Sequence, residues 1–243
     1  MQPLLGVLLL DTRFPRIPGD IGNEASYPYP IRFRVIRGAT VPRVVTRDLD
    51  RSLLDPFLEG ARELEREGVR AITTSCGFLV LFQDEIAREL RVPFFASSLL
   101  QIPLVYRMIQ RPVGVITANA AALTPDHLRA AGVDASIPVL IGGLEEREAF
   151  ASAILRDGPE LDAMAVEREV VETAWALLER NPEIGAFVCE CHNLAPYGPA
   201  IQRTTGRPVF DIFSLIALVS QAVAKPVFRG SQQQPQDFCW GAS

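Results

Sequence analysis

Short apolar runs recur along the chain at Leu4–Leu10, Ile31–Ile36, Val69–Thr73, Pro93–Ala96, Val113–Thr117, Ile137–Ile141, Ala186–Cys189 and Pro208–Phe210. Rich in valine, isoleucine and phenylalanine, they read as strands, and the longer stretches between them carry helical periodicity. Within Arg47–Glu67 the apolar positions Leu49, Leu53, Leu54, Phe57, Leu58, Ala61 and Leu64 share one helix face. Glu160–Arg180 repeats the pattern with Met164, Val171, Ala174, Leu177 and Leu178. Strand and helix in alternation predict an α/β fold built on parallel sheets.

The pattern also repeats on a larger scale. Leu5-Gly-Val-Leu-Leu-Leu-Asp11 parallels Val113-Gly-Val-Ile-Thr-Ala-Asn119, with the glycines offset by 114 − 6 = 108 residues. Cys76 and Cys191, each just past an apolar run, are offset by 191 − 76 = 115. Near-equal offsets predict two pseudo-symmetric lobes, each a parallel sheet flanked by helices, with a cleft between them. Residues 1–97 form the first lobe, 98–206 the second, and 207–243 return to the first. The polar stretch Ser231–Asp237 reads as an exposed extension, and Cys239-Trp240 at its end has no assigned role.

Composition narrows the chemistry. Hydrophobic residues make up 48% of the 243 and charged residues 22%, as in an ordinary globular protein. A net charge of −5 without a dense basic stripe argues against a nucleic-acid partner. No apolar run is long enough to span a membrane, and the first strand lacks a basic leader or cleavage site. Four cysteines in such a chain are expected as free thiols in the cytoplasm. Lys225 is the sole lysine and precedes Pro226, a poor setting for a pyridoxal-phosphate Schiff base. No cofactor is expected.

Both cysteines fall where open α/β sheets bind ligands, at the carboxyl ends of strands. Thr74, Ser75 and Gly77 around Cys76 suit a turn whose N–H groups hold a carboxylate and whose field lowers the thiol pKa. Glu190, Cys191, His192 and Asn193 form a polar cluster after the second apolar strand, with His192 placed to assist proton transfer or to satisfy backbone groups. Cys189-Glu-Cys191 is not a usual zinc spacing, so no metal is expected and Cys189 reads as packed in the sheet. Asp11 ends the first strand, placed to orient Cys76 or bind a substrate amine. The mixed loop Thr12–Asn23 that follows reads as a cover, with Arg13 or Arg16 available to a carboxylate and Asn23 to a substrate. Thr117 and Asn119 occupy the equivalent place in the second lobe. His127 reads as a surface or packing residue.

With these residues in view, the chain resembles the aspartate/glutamate racemase superfamily, which includes hydantoin racemases, maleate isomerases and arylmalonate decarboxylases. Thr74-Ser75-Cys76-Gly77, the strand at Val113–Thr117 and Cys191 carry the resemblance. It implies a cofactor-independent racemase acting on a small carboxylate or amino-acid-like substrate, with Cys76 and Cys191 as opposed acid/base groups. It places Thr74, Ser75, Gly77, Thr117 and Asn119 against substrate, and implies a homodimer or larger homo-oligomer. Two departures stand out: His192 and Asn193 follow the second cysteine where threonine is usual, and Gly77 and Phe78 replace the asparagine after the first. Two rivals are an isomerase or decarboxylase with a nucleophilic cysteine, and a small-acid binding protein without turnover.

Overall fold

The structure is a computed structural model that describes residues 4–225; Cys239, Trp240 and the polar stretch before them lie outside the described residues. Strands β1 (Leu5–Leu10), β2 (Ile31–Ile36), β3 (Ala71–Thr74) and β4 (Phe94–Phe95) form one sheet in the order β2-β1-β3-β4. Strands β5 (Val113–Thr117), β6 (Val139–Gly143), β7 (Ala186–Cys189) and β8 (Val209–Phe210) form a second, in the order β6-β5-β7-β8. Every pairing is parallel, and the two orders are the same. The α/β reading and the two-sheet architecture stand.

Central strands β1, β3, β5 and β7 are buried along their whole length, which explains why their sequences run apolar without alternation. Helix Leu54–Arg66 buries Phe57, Ala61 and Leu64 on the first sheet. It approaches so closely that a Cβ at Gly60 would come within 2.6 Å of Ile36 Cδ1. Among the described residues no helix is long and apolar enough to cross a membrane.

Capping moves several boundaries. Asp50 accepts the Ser52 N–H, so a short turn at Arg51–Leu53 precedes the helix expected from Arg47. Asp162 caps Ala163–Arg180 through the N–H groups of Met164 and Ala165, so that helix starts three residues after Glu160. Pro125 opens the helix Pro125–Ala130, and a capping box joins Thr124 to His127. The return to the first lobe begins later than residue 207, because Val209–Phe210 still pairs with β7. Helix Ile212–Val223 then packs Ile212, Leu215 and Ile216 with Leu5, Val7, Ile31 and Phe95 of the first sheet.

Candidate active site

Cys76 lies two residues beyond β3 and Cys191 two residues beyond β7, so the repeated topology delivers both thiols to one place. They line a single cavity, and their exposures are 7% and 6%. Leu10, Phe14, Val41, Val45, Phe78, Ala118, Ile154 and Leu155 make most of its wall apolar.

The thiols rest protonated. Burial pushes both pKa values up, and the nearby Glu190 carboxyl pushes them further. The Phe78 N–H at Cys76 and the Asn193 N–H at Cys191 act in the opposite direction but are outweighed. The expectation that the turn would lower the thiol pKa is therefore reversed: desolvation of a small, apolar-walled site exceeds what one N–H can return. Cys76 raises Cys191 further, since two thiolates so close would repel.

Glu190, noted in the sequence only as part of a polar cluster, is completely buried in the wall of this cavity. Thr117 Oγ1 donates to its Oε2 at 2.7 Å, while Oε1 has no hydrogen-bond partner among the described residues. Burial raises its pKa to about 7, against the pull of Thr117 and the Ala118 N–H. A signal was available: an acid directly after a fully apolar strand, held between two cysteines, is poorly placed to reach solvent.

The other candidates divide into those the cavity brings together and those it does not. Ser75 lines it while accepting the Leu10 N–H through Oγ at 3.0 Å. Asn193 lines it too, accepting from the Cys191 thiol at 3.7 Å and donating to Asp20 Oδ2 at 2.7 Å. Gly77 borders Glu190 so tightly that a Cβ would lie 2.3 Å from Oε1 and 2.4 Å from the backbone oxygen. Thr117 acts on Glu190, as described.

Thr74, Asp11, Asn23 and Asn119 are turned to the fold and stand outside the cavity lining. Thr74 Oγ1 lies 2.8 Å from the Ala96 oxygen and 2.9 Å from that of Cys76. Asp11 accepts the Gly38 N–H at 2.9 Å, and Asn119 accepts that of Ala122 at 3.1 Å. Asn23 caps Ala25 and donates to the Arg16 oxygen, which folds its own loop. His192 is likewise diverted from proton transfer. Both its ring nitrogens are bound to backbone, at Thr74 O in the first lobe and at Ser98 N where the chain crosses to the second, and burial lowers its pKa to about 4. His127 is buried against the Phe78 ring, with centroids 4.9 Å apart.

Loop Thr12–Asn23 does cover the cavity, contributing Thr12, Phe14 and Arg16 to its wall. The Arg16 guanidinium is engaged by Asp20 at 2.8 Å and Thr12 at 2.9 Å, while Arg13 points outward. Across the cleft, Asp157 Oδ1 accepts the N–H groups of Arg13 and Phe14 at 2.6 and 3.0 Å, fastening the loop to the second lobe. Asp157 holds a left-handed backbone, φ 53°, just after the π-helical turn Ala151–Leu155 that supplies Ile154 and Leu155 to the cavity.

No family model matches the chain. It is 31% identical over 217 residues to a dimethylsulfoniopropionate lyase of Durusdinium sp. clade D, covering 85% of this chain and 70% of that protein. It is 30% identical over 217 residues to dimethylsulfoniopropionate lyase 7 of Emiliania huxleyi (strain CCMP1516), covering 86% and 64%. The chain thus spans about two thirds of the length of these curated relatives. Among solved structures, a variant of arylmalonate decarboxylase in a sulfate-associated form aligns with a TM-score of 0.60 at 15% identity, over 92% of this chain and 95% of that one. The aspartate racemase of Picrophilus torridus aligns with a TM-score of 0.55 at 14% identity, over 90% and 94%. The racemase activity expected from the sequence is overturned by the first two: the relatives named by sequence are lyases, and at such low identity the likeness to racemases is one of fold. On the fold of the Asp/Glu/hydantoin racemase-like superfamily, the chain belongs to the dimethylsulfoniopropionate lyase family.

Proposed function

We propose that the chain is a lyase that eliminates dimethyl sulfide from dimethylsulfoniopropionate, with a cavity cysteine as the base. The observation that carries this reading is the enclosure of two thiols and one carboxyl in a single apolar-walled cavity, in a chain whose relatives are lyases for that compound.

The substrate is a zwitterion, with a carboxylate at one end and a dimethylsulfonio cation on the β-carbon. A thiolate takes the proton from the α-carbon. The C–H electron pair becomes the second bond between the α- and β-carbons, and the β-carbon–sulfur bond breaks with its electrons kept by sulfur. Neutral dimethyl sulfide and acrylate leave and the α-proton restores the thiol, so the net proton released is the one the thiol gave to water to become thiolate, and charge and atoms balance.

The cluster accommodates little negative charge, because Cys76, Cys191 and Glu190 each disfavour the others' ionisation. A sulfonium cation changes that balance: it adds a positive charge in a low-dielectric space, where its effect on a thiol is large. The base is then generated when substrate binds, the thiol proton passing to water, and the α-proton returns it to its resting form as the sulfide becomes neutral. The apolar wall favours the methyl groups and the sulfide product.

Purified protein incubated with dimethylsulfoniopropionate should release dimethyl sulfide, read by headspace gas chromatography, with equimolar acrylate by proton NMR. Intact substrate after prolonged incubation with reduced protein would sink the reading. In deuterium oxide, the cysteine variant that blocks α-deuteration of residual substrate identifies the base.

A further inference from the structure

The two half-sites differ at one telling position. In the first lobe the residue between strand β3 and Cys76 is Ser75; in the second, the residue between β7 and Cys191 is Glu190. Ser75 is satisfied by the Leu10 N–H. Glu190 is satisfied on one side only, its Oε1 buried and unpartnered. An unpaired buried carboxylate is unfavourable in an isolated protein, yet this one stands in the wall of the cavity that both cysteines line. Among the described residues the one cation in the same lining, Arg16, is engaged by Asp20 and Thr12.

What would complete the pair must be cationic and must tolerate the apolar wall. A primary ammonium needs three hydrogen-bond acceptors, and besides Glu190 the side-chain acceptors in the lining are engaged: Ser75 by the Leu10 N–H, Asn193 by the Cys191 thiol and Thr12 by Arg16. A methylated onium group has no N–H to satisfy, presents methyls to apolar surface and is drawn to aromatic rings. We propose that Glu190 is the subsite for the β-substituent of the substrate, selecting a methylated onium group over both a neutral isostere and a primary ammonium. This rests on the lyase reading for its substrate class, but it concerns binding and is tested without turnover.

Three propionates separate the alternatives: 3-(trimethylammonio)propionate, its uncharged isostere 4,4-dimethylpentanoate, and β-alanine, each titrated calorimetrically into the full chain. The wild type should bind the onium acid at least about ten-fold more tightly than either other acid, and Glu190→Gln should reduce that preference to about two-fold or less. Glu190→Asp, which keeps the charge but withdraws it, should retain a weakened preference. Equal or tighter binding of the neutral isostere by the wild type overturns the proposal, as does an undiminished preference in Glu190→Gln or no measurable binding of the onium acid. Should Glu190→Gln fail to fold, the wild type and Glu190→Asp decide. Onium selectivity without dimethyl sulfide release overturns the lyase reading alone; release without selectivity overturns this one alone.

Discussion

His192, which follows the last strand residue of the second half by three positions, hydrogen-bonds the strand end of the first: its Nδ1 lies 2.8 Å from the Thr74 carbonyl oxygen. Since a carbonyl only accepts, Nδ1 carries the proton, and Nε2 accepts the Ser98 N–H at 3.3 Å. Ser98 Oγ in turn donates to the Cys189 oxygen at 2.5 Å. The residue that sequence places beside the cysteines as a catalyst is thus the pin that joins the lobes behind them.

A pin that must stay neutral is sensitive to acid. The His192 pKa is lowered from 6.5 to about 4, so its contribution to stability is fully present above pH 6.5 and is lost as pH falls toward 4. His192→Gln should be less stable than the wild type at pH 7.5 by about 1–3 kcal/mol. Urea unfolding should show that deficit shrinking as pH falls through this window. A constant deficit would mean that the ring does not titrate with folding. His127, lowered to about 4 by burial, keeps its own acid sensitivity in the variant.

Glu190 acts in the reverse sense. Its pKa rises from 4.5 to about 7 on folding, so the folded state binds the extra proton and stability falls as pH rises across that interval. Glu190→Gln abolishes the fall, gaining on the wild type between pH 5 and 8 by up to about 3 kcal/mol. The thiols of Cys76 and Cys191 face this carboxyl and stay protonated throughout the interval, so they add no slope of their own. Thermal melts of both proteins at the two pH values provide the check.

The cysteines should separate cleanly in turnover. Cys76→Ser and Cys191→Ser should each lower dimethyl sulfide release at least about 100-fold. Cys189, fully buried within β7 and absent from the cavity lining, tolerates alanine with a rate within about two-fold of wild type. A Cys189→Ala enzyme as impaired as the other two would displace the site from this cavity.

Asp157 tests the cover. Asp157→Ala removes the acceptor for the Arg13 and Phe14 N–H groups and should raise KM about ten-fold while shifting unfolding little. Asp157→Asn keeps a carbonyl acceptor and should restore KM. Steady-state kinetics on both, beside their melting temperatures, distinguish a cover from a merely structural contact: Asn failing to rescue would argue for the charge instead.

Fold was legible because its cause is local and periodic: fully buried parallel strands run apolar, and the helices between them carry one apolar face. The pairing of Cys76 with Cys191 was legible from their equal places in a repeat. What escaped depends on contacts across 94 to 173 positions, such as Ser98 with His192, Phe14 with Asp157 and Asn193 with Asp20. Asp11, Asn23 and Asn119 misled for one shared reason. A short polar side chain at a strand end or loop finds a neighbouring backbone N–H before it finds a ligand. Glu190 escaped because its signal, an acid directly after an apolar strand and between two cysteines, reads equally as a polar cluster meeting solvent until its burial is seen.

The lobes are riveted at the back of the cleft by His192 on Thr74, whereas at the front the loop Thr12–Asn23 is latched through two side chains, Asp157 on the Arg13 and Phe14 N–H groups and Asn193 on Asp20. Prying the lobes apart would rupture buried bonds, so the covering loop is the element whose release costs least, a trapdoor and not a clamshell. Traffic of substrate and product then follows one flap, and the cysteines keep their spacing while it swings.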